Sequence, residues 1–139
     1  MKITTIDDVL LYNLKSINEN NGNLIPLEGL KDIPFEIKRV FYVYSVKDDN
    51  VRGKHAHLLT EQLLICFNGK CKVVCNDGNN KKEFILDSPE KALYIPNMIW
   101  DEQIYYDNAI LLVLSNSLYD KNDYIRDFKK FIELKKSLK

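Results

Sequence analysis

Short stretches rich in β-branched and aromatic residues alternate with turn signals along most of this chain, and that alternation limits the folds open to it. Clusters of Asn, Asp, Gly, Pro and Ser recur about every 8–12 residues, which is typical of a β-sandwich or barrel. No helical pattern separates one predicted strand from the next, so the sequence does not predict a parallel α/β sheet. The predicted strands cover residues 37–44, 61–67, 70–75, 83–86, 92–95, 100–105 and 109–114.

Two local signals refine this outline. The Asn68-Gly69 dipeptide, flanked by apolar runs, predicts a tight hairpin between the strands on either side of it. Near the C-terminus the apolar period changes from that of a strand to that of a helix, which predicts an α-helix over residues 121–138 with Asn122 as its N-cap. The lysines at its end, including Lys135, are predicted to form a solvated face that suits the helix dipole. The apolar stripe of this helix comprises Tyr124, Ile125, Phe128, Phe131 and Ile132.

Composition excludes several classes of partner. The chain has 139 residues, which fits one domain, with 20 basic and 20 acidic residues, so no overall charge favours nucleic acid or an anionic membrane. No apolar run approaches the roughly 20 residues of a membrane-spanning helix, and the N-terminus lacks the apolar core of a signal peptide. Three cysteines, an odd number without zinc-motif spacing, are predicted to be buried thiols in a reducing cytoplasm: Cys66, Cys71 and Cys75.

The chain has only two histidines, and they lie two residues apart within Arg52-Gly53-Lys54-His55-Ala56-His57. If this stretch is a strand, both imidazoles point to the same face. Glu61 has the same parity and would join them if no bulge intervenes. Two imidazoles with a carboxylate indicate either metal binding or proton transfer.

The spacing around these histidines follows the first cupin motif, in which His-x-His precedes a glutamate and then a glycine. His55, His57, Glu61 and Gly69 occupy those positions here. The second cupin motif, Pro-x-Gly-x-x-His, matches residues 96–101 only in part, with Asp101 in place of the histidine. The match predicts an all-β fold, a cupin jelly-roll β-barrel with a C-terminal α-helix. The residues alone leave two kinds of site open. One is a Zn, Mn or Fe site with His55, His57, Glu61 and Asp101 as ligands, and the other is a metal-free acid–base pair.

From about Gly22 to Phe131 the sequence resembles the sugar 3,4-ketoisomerases that act on dTDP-4-keto-6-deoxyglucose. The resemblance implies a single cupin domain over residues 1–139, a dTDP-linked 4-keto-6-deoxy sugar as substrate, and neither metal nor other cofactor. It also implies a homodimer in which residues 1–30 form an exchanged arm. Members of that family carry a histidine where this chain has Asp101. The stretches that carry the resemblance are residues 33–42 (IPFEIKRVFY), 52–57 (RGKHAH), 61–69 (EQLLICFNG) and 119–126 (YDKNDYIR).

The implied reaction removes the C3 proton, passes through an enediolate and returns a proton at C4. By resemblance we favour His57 as the base at carbon and His55 as its partner at the oxygens. Arg52, Tyr42 or Tyr44 is expected to stabilise the oxyanion, and Arg39 to hold the diphosphate. The remaining predicted substrate-binding residues are Lys54, Glu61, Trp100, Asp101 and Glu102.

Three other functions remain open on the sequence. They are a metal-dependent cupin enzyme, a non-catalytic protein that binds dTDP-sugars, and a cupin epimerase of the 3,5 type that exchanges protons without moving the ketone. The sequence does not decide between a gluco and a galacto product, because that outcome depends only on which face of C4 is protonated.

Overall fold

Two long strands form the centre of the computed structural model, which describes residues 2–139. They pair antiparallel along most of their length, and the other strands add to their edges. A single α-helix closes the chain, and short 3-10 helices cover Ile6–Asp8 and Lys121–Asp123. The elements are β1 (Leu10–Asn13), β2 (Ile17–Glu19), β3 (Gly22–Leu24), β4 (Arg39–Val43), β5 (Val51–His57), β6 (Gln62–Asn76), β7 (Lys81–Leu86), β8 (Lys91–Ile95), β9 (Trp100–Ser115), β10 (Tyr124–Ile125) and α1 (Phe128–Ser137).

The strands form one antiparallel sheet of eight, in the order β1-β8-β6-β9-β5-β10, with β4 paired to β9 and β7 paired to β6. The ladder is open between its two ends, β1 and β10. Side-chain packing across the folded sheet therefore holds the interior together, rather than a continuous ring of backbone hydrogen bonds. The predicted all-β fold with a C-terminal helix is confirmed.

The hairpin predicted at Asn68-Gly69 is wrong. β6 continues through this dipeptide without a turn, with register shifts on both sides of Asn68. Gly69 has φ +69°, and a Cβ there would lie 2.4 Å from the Asp107 carbonyl oxygen, so only glycine fits. Asp107 and Asn108 on the facing strand also have positive φ, 58° and 57°. The two long strands thus bulge and bend together, and each contains two of the predicted strands.

Alternation along β6 separates two cores. Before the register shifts at Asn68, its even-numbered side chains, such as Leu64 and Cys66, enter the interior between β6, β7, β8 and β9, and after them the odd-numbered Cys71 and Val73 do so. The odd-numbered side chains before the shifts, such as Leu63, face Ile33 and Phe35 from the N-terminal third of the chain. The prediction that the three cysteines are buried free thiols is confirmed.

The predicted start of the C-terminal helix is wrong by seven residues, since α1 begins at Phe128 rather than at 121. Its N-cap is Asp127, whose carboxylate accepts from the Lys129 backbone N–H at 2.9 Å. Tyr124 and Ile125 instead form β10 and pair with His57 and Ala56. The edge of β5 offers backbone hydrogen bonds that the sequence pattern does not reveal.

The lysines of α1 are not all solvated, which corrects a second expectation. Lys135 is only 4% exposed, and its Nζ donates to the Thr4 carbonyl and hydroxyl oxygens. The helix is thereby joined to the N-terminal segment, while Phe131 packs on Trp100.

Of the three N-terminal strands, only β1 joins the main sheet. β1 lies beside β8, whereas β2 and β3 form a separate hairpin with Ile17 and Leu24 largely exposed. Exchange of this arm between two copies stays a prediction. None of the described helices is both long and apolar enough to cross a membrane.

Candidate active site

His55 and His57 lie side by side on one face of β5, just after a bulge, and His55 lines a cavity. The register between β5 and β9 shifts between Gly53 and His55, where Gly53 and Lys54 adopt positive φ of 82° and 55°. The two imidazole rings lie edge to face, with centroids 5.0 Å apart. Nδ1 of His55 is 3.0 Å from the Gly53 carbonyl oxygen. Because a carbonyl oxygen only accepts, Nδ1 of His55 donates this hydrogen bond, and Nε2 is the ring nitrogen left for other contacts. The predicted shared face is confirmed.

The second histidine is held by a carboxylate. Nδ1 of His57 lies 3.1 Å from Oδ2 of Asp123, in the 3-10 helix just before β10. Asp123 in turn accepts from the Leu59 backbone N–H at 2.7 Å and from both the backbone N–H and the hydroxyl of Thr60. Nε2 of His57 is buried and has no hydrogen-bond partner among the described residues. An oriented imidazole with one free nitrogen is the arrangement that general base catalysis requires.

Burial, with a contribution from the nearby His55, lowers the pKa of His57 to about 4 even though the hydrogen bond to Asp123 acts in the opposite direction. Partial burial raises the pKa of Asp123, but the hydrogen bonds from Thr60, Leu59 and His57 outweigh it and lower the pKa overall. At neutral pH the pair is therefore a neutral imidazole donating to a carboxylate, not an ion pair.

The cavity beside the histidines has a volume of about 210 Å³. One wall is apolar and comes from β4 and β9, through Phe41, Val43 and Val113. Polar side chains of Arg52, Gln62 and Gln103 complete it together with His55. One cationic side chain and two amide side chains thus share the lining of the cavity with the His55 imidazole.

Two arginines pack on tyrosine rings in and beside the cavity, where Tyr124 and Arg126 belong to the lining. The Arg39 guanidinium lies 5.5 Å from the ring centroid of Tyr119, and the Arg126 guanidinium 4.4 Å from that of Tyr124. The Tyr124 ring also packs against His57, at 4.4 Å between centroids. Arg39 and Arg52, both predicted from the sequence, are brought to this region. Lys54, also predicted, is exposed at the bulge and does not line the cavity.

The predicted roles of Tyr42 and Tyr44 are wrong for the cavity of their own chain. Phe41 and Val43 point inward from β4, so Tyr42 points outward, and the two tyrosines are 64% and 63% exposed. Their rings pack against each other instead, with centroids 6.1 Å apart.

Glu61 does not join the histidines, because β5 ends at His57 and the intervening turn resets the parity. Its carboxylate accepts from the Tyr94 hydroxyl and from the Asn116 amide, on the face of the sheet opposite the cavity. Trp100 and Glu102 lie on the outer face of β9 and bond to each other, Nε1 to Oε2 at 3.1 Å. Trp100 also packs against Phe128 of α1 and does not line the cavity, so its contact with substrate stays a prediction that this position does not support.

Asp101 lies behind the cavity wall and is not part of its lining. It is the register partner of His55 and is 1% exposed, so it lies beneath the cavity rather than on its surface. Burial raises its pKa, while the nearby His55 and a hydrogen bond from Gln103 oppose that shift. Gln103, two residues along the same strand, is the side chain that lines the cavity.

Several site residues were missed by sequence reasoning. Strand parity could have found Gln103, because it shares a face with Asp101. The stretch 119–126 carried much of the family resemblance, yet it was assigned in part to a helix and its side chains received no role. The missed residues are Gln62, Gln103, Tyr105, Tyr119, Asp123, Tyr124 and Arg126.

Within residues 2–139 no group of three or more His, Cys, Asp or Glu side chains converges into a metal-binding cluster. The nitrogens Nδ1 of both histidines already have partners. The two Nε2 atoms are left for other contacts.

Fold and site together define an antiparallel β-sheet protein whose cavity is organised around a carboxylate-oriented histidine pair. The family described as WxcM-like, C-terminal (FdtA) matches residues 7–136, and the chain belongs to this family.

Relatives of known activity agree with this assignment. The TDP-4-oxo-6-deoxy-α-D-glucose 3,4-oxoisomerase of Aneurinibacillus thermoaerophilus is 43% identical over 126 residues, which is 88% of this chain and 91% of the relative. A histidine-to-asparagine variant of the 3,4-ketoisomerase QdtA from Thermoanaerobacterium thermosaccharolyticum, in complex with TDP-4-keto-6-deoxyglucose, superposes with a TM-score of 0.91 at 37% identity, covering 96% of this chain and 97% of that one. The TDP-fucose-3,4-ketoisomerase WlaRA from Campylobacter jejuni gives 0.88 at 42% identity, covering 92% and 96%. The resemblance drawn from the sequence motifs is confirmed.

Proposed function

We propose that this protein is a 3,4-ketoisomerase that converts TDP-4-keto-6-deoxyglucose to a TDP-3-keto-6-deoxyhexose. The observation that carries the proposal is His57, a neutral imidazole that is oriented by Asp123, packs against His55 of the cavity wall and has no hydrogen-bond partner at Nε2 among the described residues. A ketoisomerase needs a group that can take a proton from carbon at neutral pH and return it.

The reaction moves one proton from C3 to C4 and one from O3 to O4, so it needs no electron acceptor. The C3 proton is acidified by the adjacent C4 carbonyl. Nε2 of His57 removes it, which leaves an enediolate, and protonation at C4 completes the change at carbon. Nε2 of His55, the ring nitrogen left for other contacts, serves the transfer between the oxygens.

The charge around the cavity supports a diphosphate-linked substrate. Arg52 and Arg126 line the cavity, and the guanidinium groups of Arg39 and Arg126 pack against tyrosine rings. Guanidinium groups suit bidentate contacts with phosphate oxygens, and the same rings offer stacking surfaces for a base. The reaction in this proposal is independent of metal, since the enediolate needs only an acid–base pair and donors to its oxygens.

We further propose that the protein is a cytoplasmic homodimer with exchanged N-terminal arms. The hairpin β2–β3 joins no other described strand, and a cleft of about 400 Å³ beside it is lined by Ile25, Leu27, Ile65 and Phe67. The three free thiols suit a reducing compartment. Light scattering of the purified protein should give twice the monomer mass, and a monomer mass would contradict the dimer.

The test of the activity is incubation of EDTA-treated protein with TDP-4-keto-6-deoxyglucose in deuterium oxide, followed by proton NMR. We expect a 3-keto product from the wild type and none from His57→Asn, and the C4 configuration is read from the same spectrum. Saturable binding without turnover would indicate a sugar-binding protein instead. Deuterium at C3 and C5 without movement of the ketone would indicate an epimerase, and activity only after metal is added would overturn the metal-free mechanism.

A further inference from the structure

Two hydrogen bonds fix the Gln103 side-chain amide at the cavity wall. Its Nε2 donates to Oδ1 of Asp101 at 3.1 Å, and its Oε1 accepts from the Tyr105 hydroxyl at 2.8 Å. Both partners are buried, with 1% and 0% exposure. All three residues lie on the inner face of β9, at alternate positions.

The identities of the partners determine which way the amide faces. The Tyr105 hydroxyl is enclosed, so its proton needs an acceptor, and Gln103 is its only hydrogen-bond partner within residues 2–139. The amide oxygen must therefore face Tyr105, which turns the nitrogen toward Asp101. The opposite orientation would leave the tyrosine proton buried and unpaired, at a cost in free energy.

One N–H of this amide has no hydrogen-bond partner among residues 2–139. A glutamine amide nitrogen carries two protons, and Asp101 accepts one of them. With Asp101 on one side and Tyr105 on the other, the remaining open side of Gln103 is the cavity that it lines together with His55. The second N–H is thus a donor of fixed direction at the place where the sugar would bind.

Gly53 keeps this arrangement intact. A Cβ at Gly53 would lie 3.0 Å from Oδ1 of Asp101 and 3.5 Å from Nε2 of Gln103. The absence of a side chain, at φ +82°, therefore lets the bulge of β5 pass close over the Asp101–Gln103 pair.

We infer that Gln103 donates its free N–H to the sugar oxygen on which negative charge develops when C3 loses its proton, and that Asp101 and Tyr105 are positioning residues for that amide. This inference rests on the proposed ketoisomerase function. A donor fixed before the reaction stabilises developing charge without having to reorganise, which is why it lowers the barrier more than it strengthens binding.

A second glutamine in the same cavity provides a matched comparison. Gln62 also lines the cavity and is 3% exposed, but its amide makes no hydrogen bond among the described residues. Its orientation is therefore not fixed in advance. Replacement of each glutamine by methionine keeps the length of the side chain and removes the amide.

The test compares Gln103→Met, Gln62→Met and the wild type by steady-state kinetics, by exchange of the C3 proton in deuterium oxide, and by calorimetric binding of TDP. For Gln103→Met we expect kcat and C3 exchange to fall roughly 100-fold, with KM and TDP affinity within about 3-fold of the wild type. Gln62→Met should lose much less. Asp101→Asn keeps an acceptor for the amide and should retain most activity, whereas Asp101→Leu should resemble Gln103→Met.

Each contrary outcome has one meaning. Wild-type kcat in Gln103→Met, an equal loss in Gln62→Met, or a parallel loss of TDP affinity would overturn the inference while the proposed function stands. No turnover by the wild type itself would overturn the proposed function, and this inference with it. Circular dichroism and thermal unfolding of each variant establish that the comparison is made on folded protein.

Discussion

Nδ1 of His57 lies 3.1 Å from Oδ2 of Asp123, although the two residues are 66 positions apart in the chain. The contact depends on β10, which pairs Tyr124 with His57 and so brings the preceding residue beneath the imidazole. The C-terminal segment therefore completes the site that β5 begins. Asp123 fixes which nitrogen of His57 carries the proton, and thereby which one is free to act as a base.

Replacement of Asp123 by asparagine should lower kcat by roughly 100-fold or more, because the imidazole loses its carboxylate partner and its preferred tautomer. Asp120→Asn is the matched control. Its carboxylate caps the same 3-10 helix that contains Asp123, through the Asn122 backbone N–H, and makes no hydrogen bond to a histidine. Steady-state kinetics on both variants check the prediction, and equal losses would show that the segment, not the carboxylate, is what matters.

The acid limb of kcat/KM should lie well below the ordinary histidine range. Burial lowers the pKa of His57 from 6.5 to about 4, so the free enzyme keeps a neutral base down to that region. The lowered pKa of Asp123 keeps its carboxylate ionised over the same range. A pH profile with its acid midpoint near 6.5 would instead assign the essential base to a solvated group.

The same lowered pKa makes stability depend on pH. Below pH 6.5 the unfolded chain binds a proton at this position that folded His57 does not take up until about pH 4, so the free energy of unfolding falls as the pH falls through this window. The shift corresponds to roughly 3 kcal/mol. Urea unfolding at several pH values measures it, and His57→Asn should show a smaller loss between pH 6.5 and 4.

Local sequence predicted most strands but not how they connect. Asn68-Gly69 supplies a residue that tolerates positive φ, which a hairpin and a bulge both require, and only the long-range pairing of β6 with β9 decides between them. Likewise, the stripe from Tyr124 to Ile132 suits a helix throughout, but β5 offers an edge that takes Tyr124 and Ile125 into the sheet.

Predictions about the site succeeded where residues share one strand and failed where faces on different strands had to be related. His55 and His57 share β5, so their common face followed from a period of two. Tyr42 on β4 and Glu61 after a turn required knowledge of how one strand is rotated against another, which the sequence does not contain. The place of Gln103 in the cavity lining could have been derived, since it shares the face of Asp101 on β9.

The position of Tyr42 gives a direct check on this correction. Tyr42→Phe should change kcat by less than about 2-fold, because the hydroxyl lies on the outer face of β4 and outside the cavity. Tyr124→Phe should lower kcat or raise KM more strongly, since that tyrosine packs on His57 and its hydroxyl lies 3.5 Å from the Arg39 guanidinium. Steady-state kinetics on the two variants in parallel test this prediction. A large loss of kcat in Tyr42→Phe alone would show that the Tyr42 hydroxyl takes part in the reaction.

Alanine substitutions at Gly53 and at Gly78 distinguish the effect of backbone strain from the effect of a change in the site. Both have positive φ, +82° and +98°, so an alanine at either position should destabilise the fold by about 1–3 kcal/mol. A Cβ at Gly53 would also approach Oδ1 of Asp101 to 3.0 Å, whereas a Cβ at Gly78 would meet only the side chains of Lys135 and Ile132, at 3.5 Å or more.

Gly53→Ala should therefore lose kcat even at temperatures where it is fully folded, because the Asp101–Gln103 pair must shift. Gly78→Ala, measured at a temperature where its thermal unfolding curve shows it fully folded, should keep the wild-type kcat. Equal specific activity in the two folded variants would show that the bulge over Asp101 is needed for folding alone.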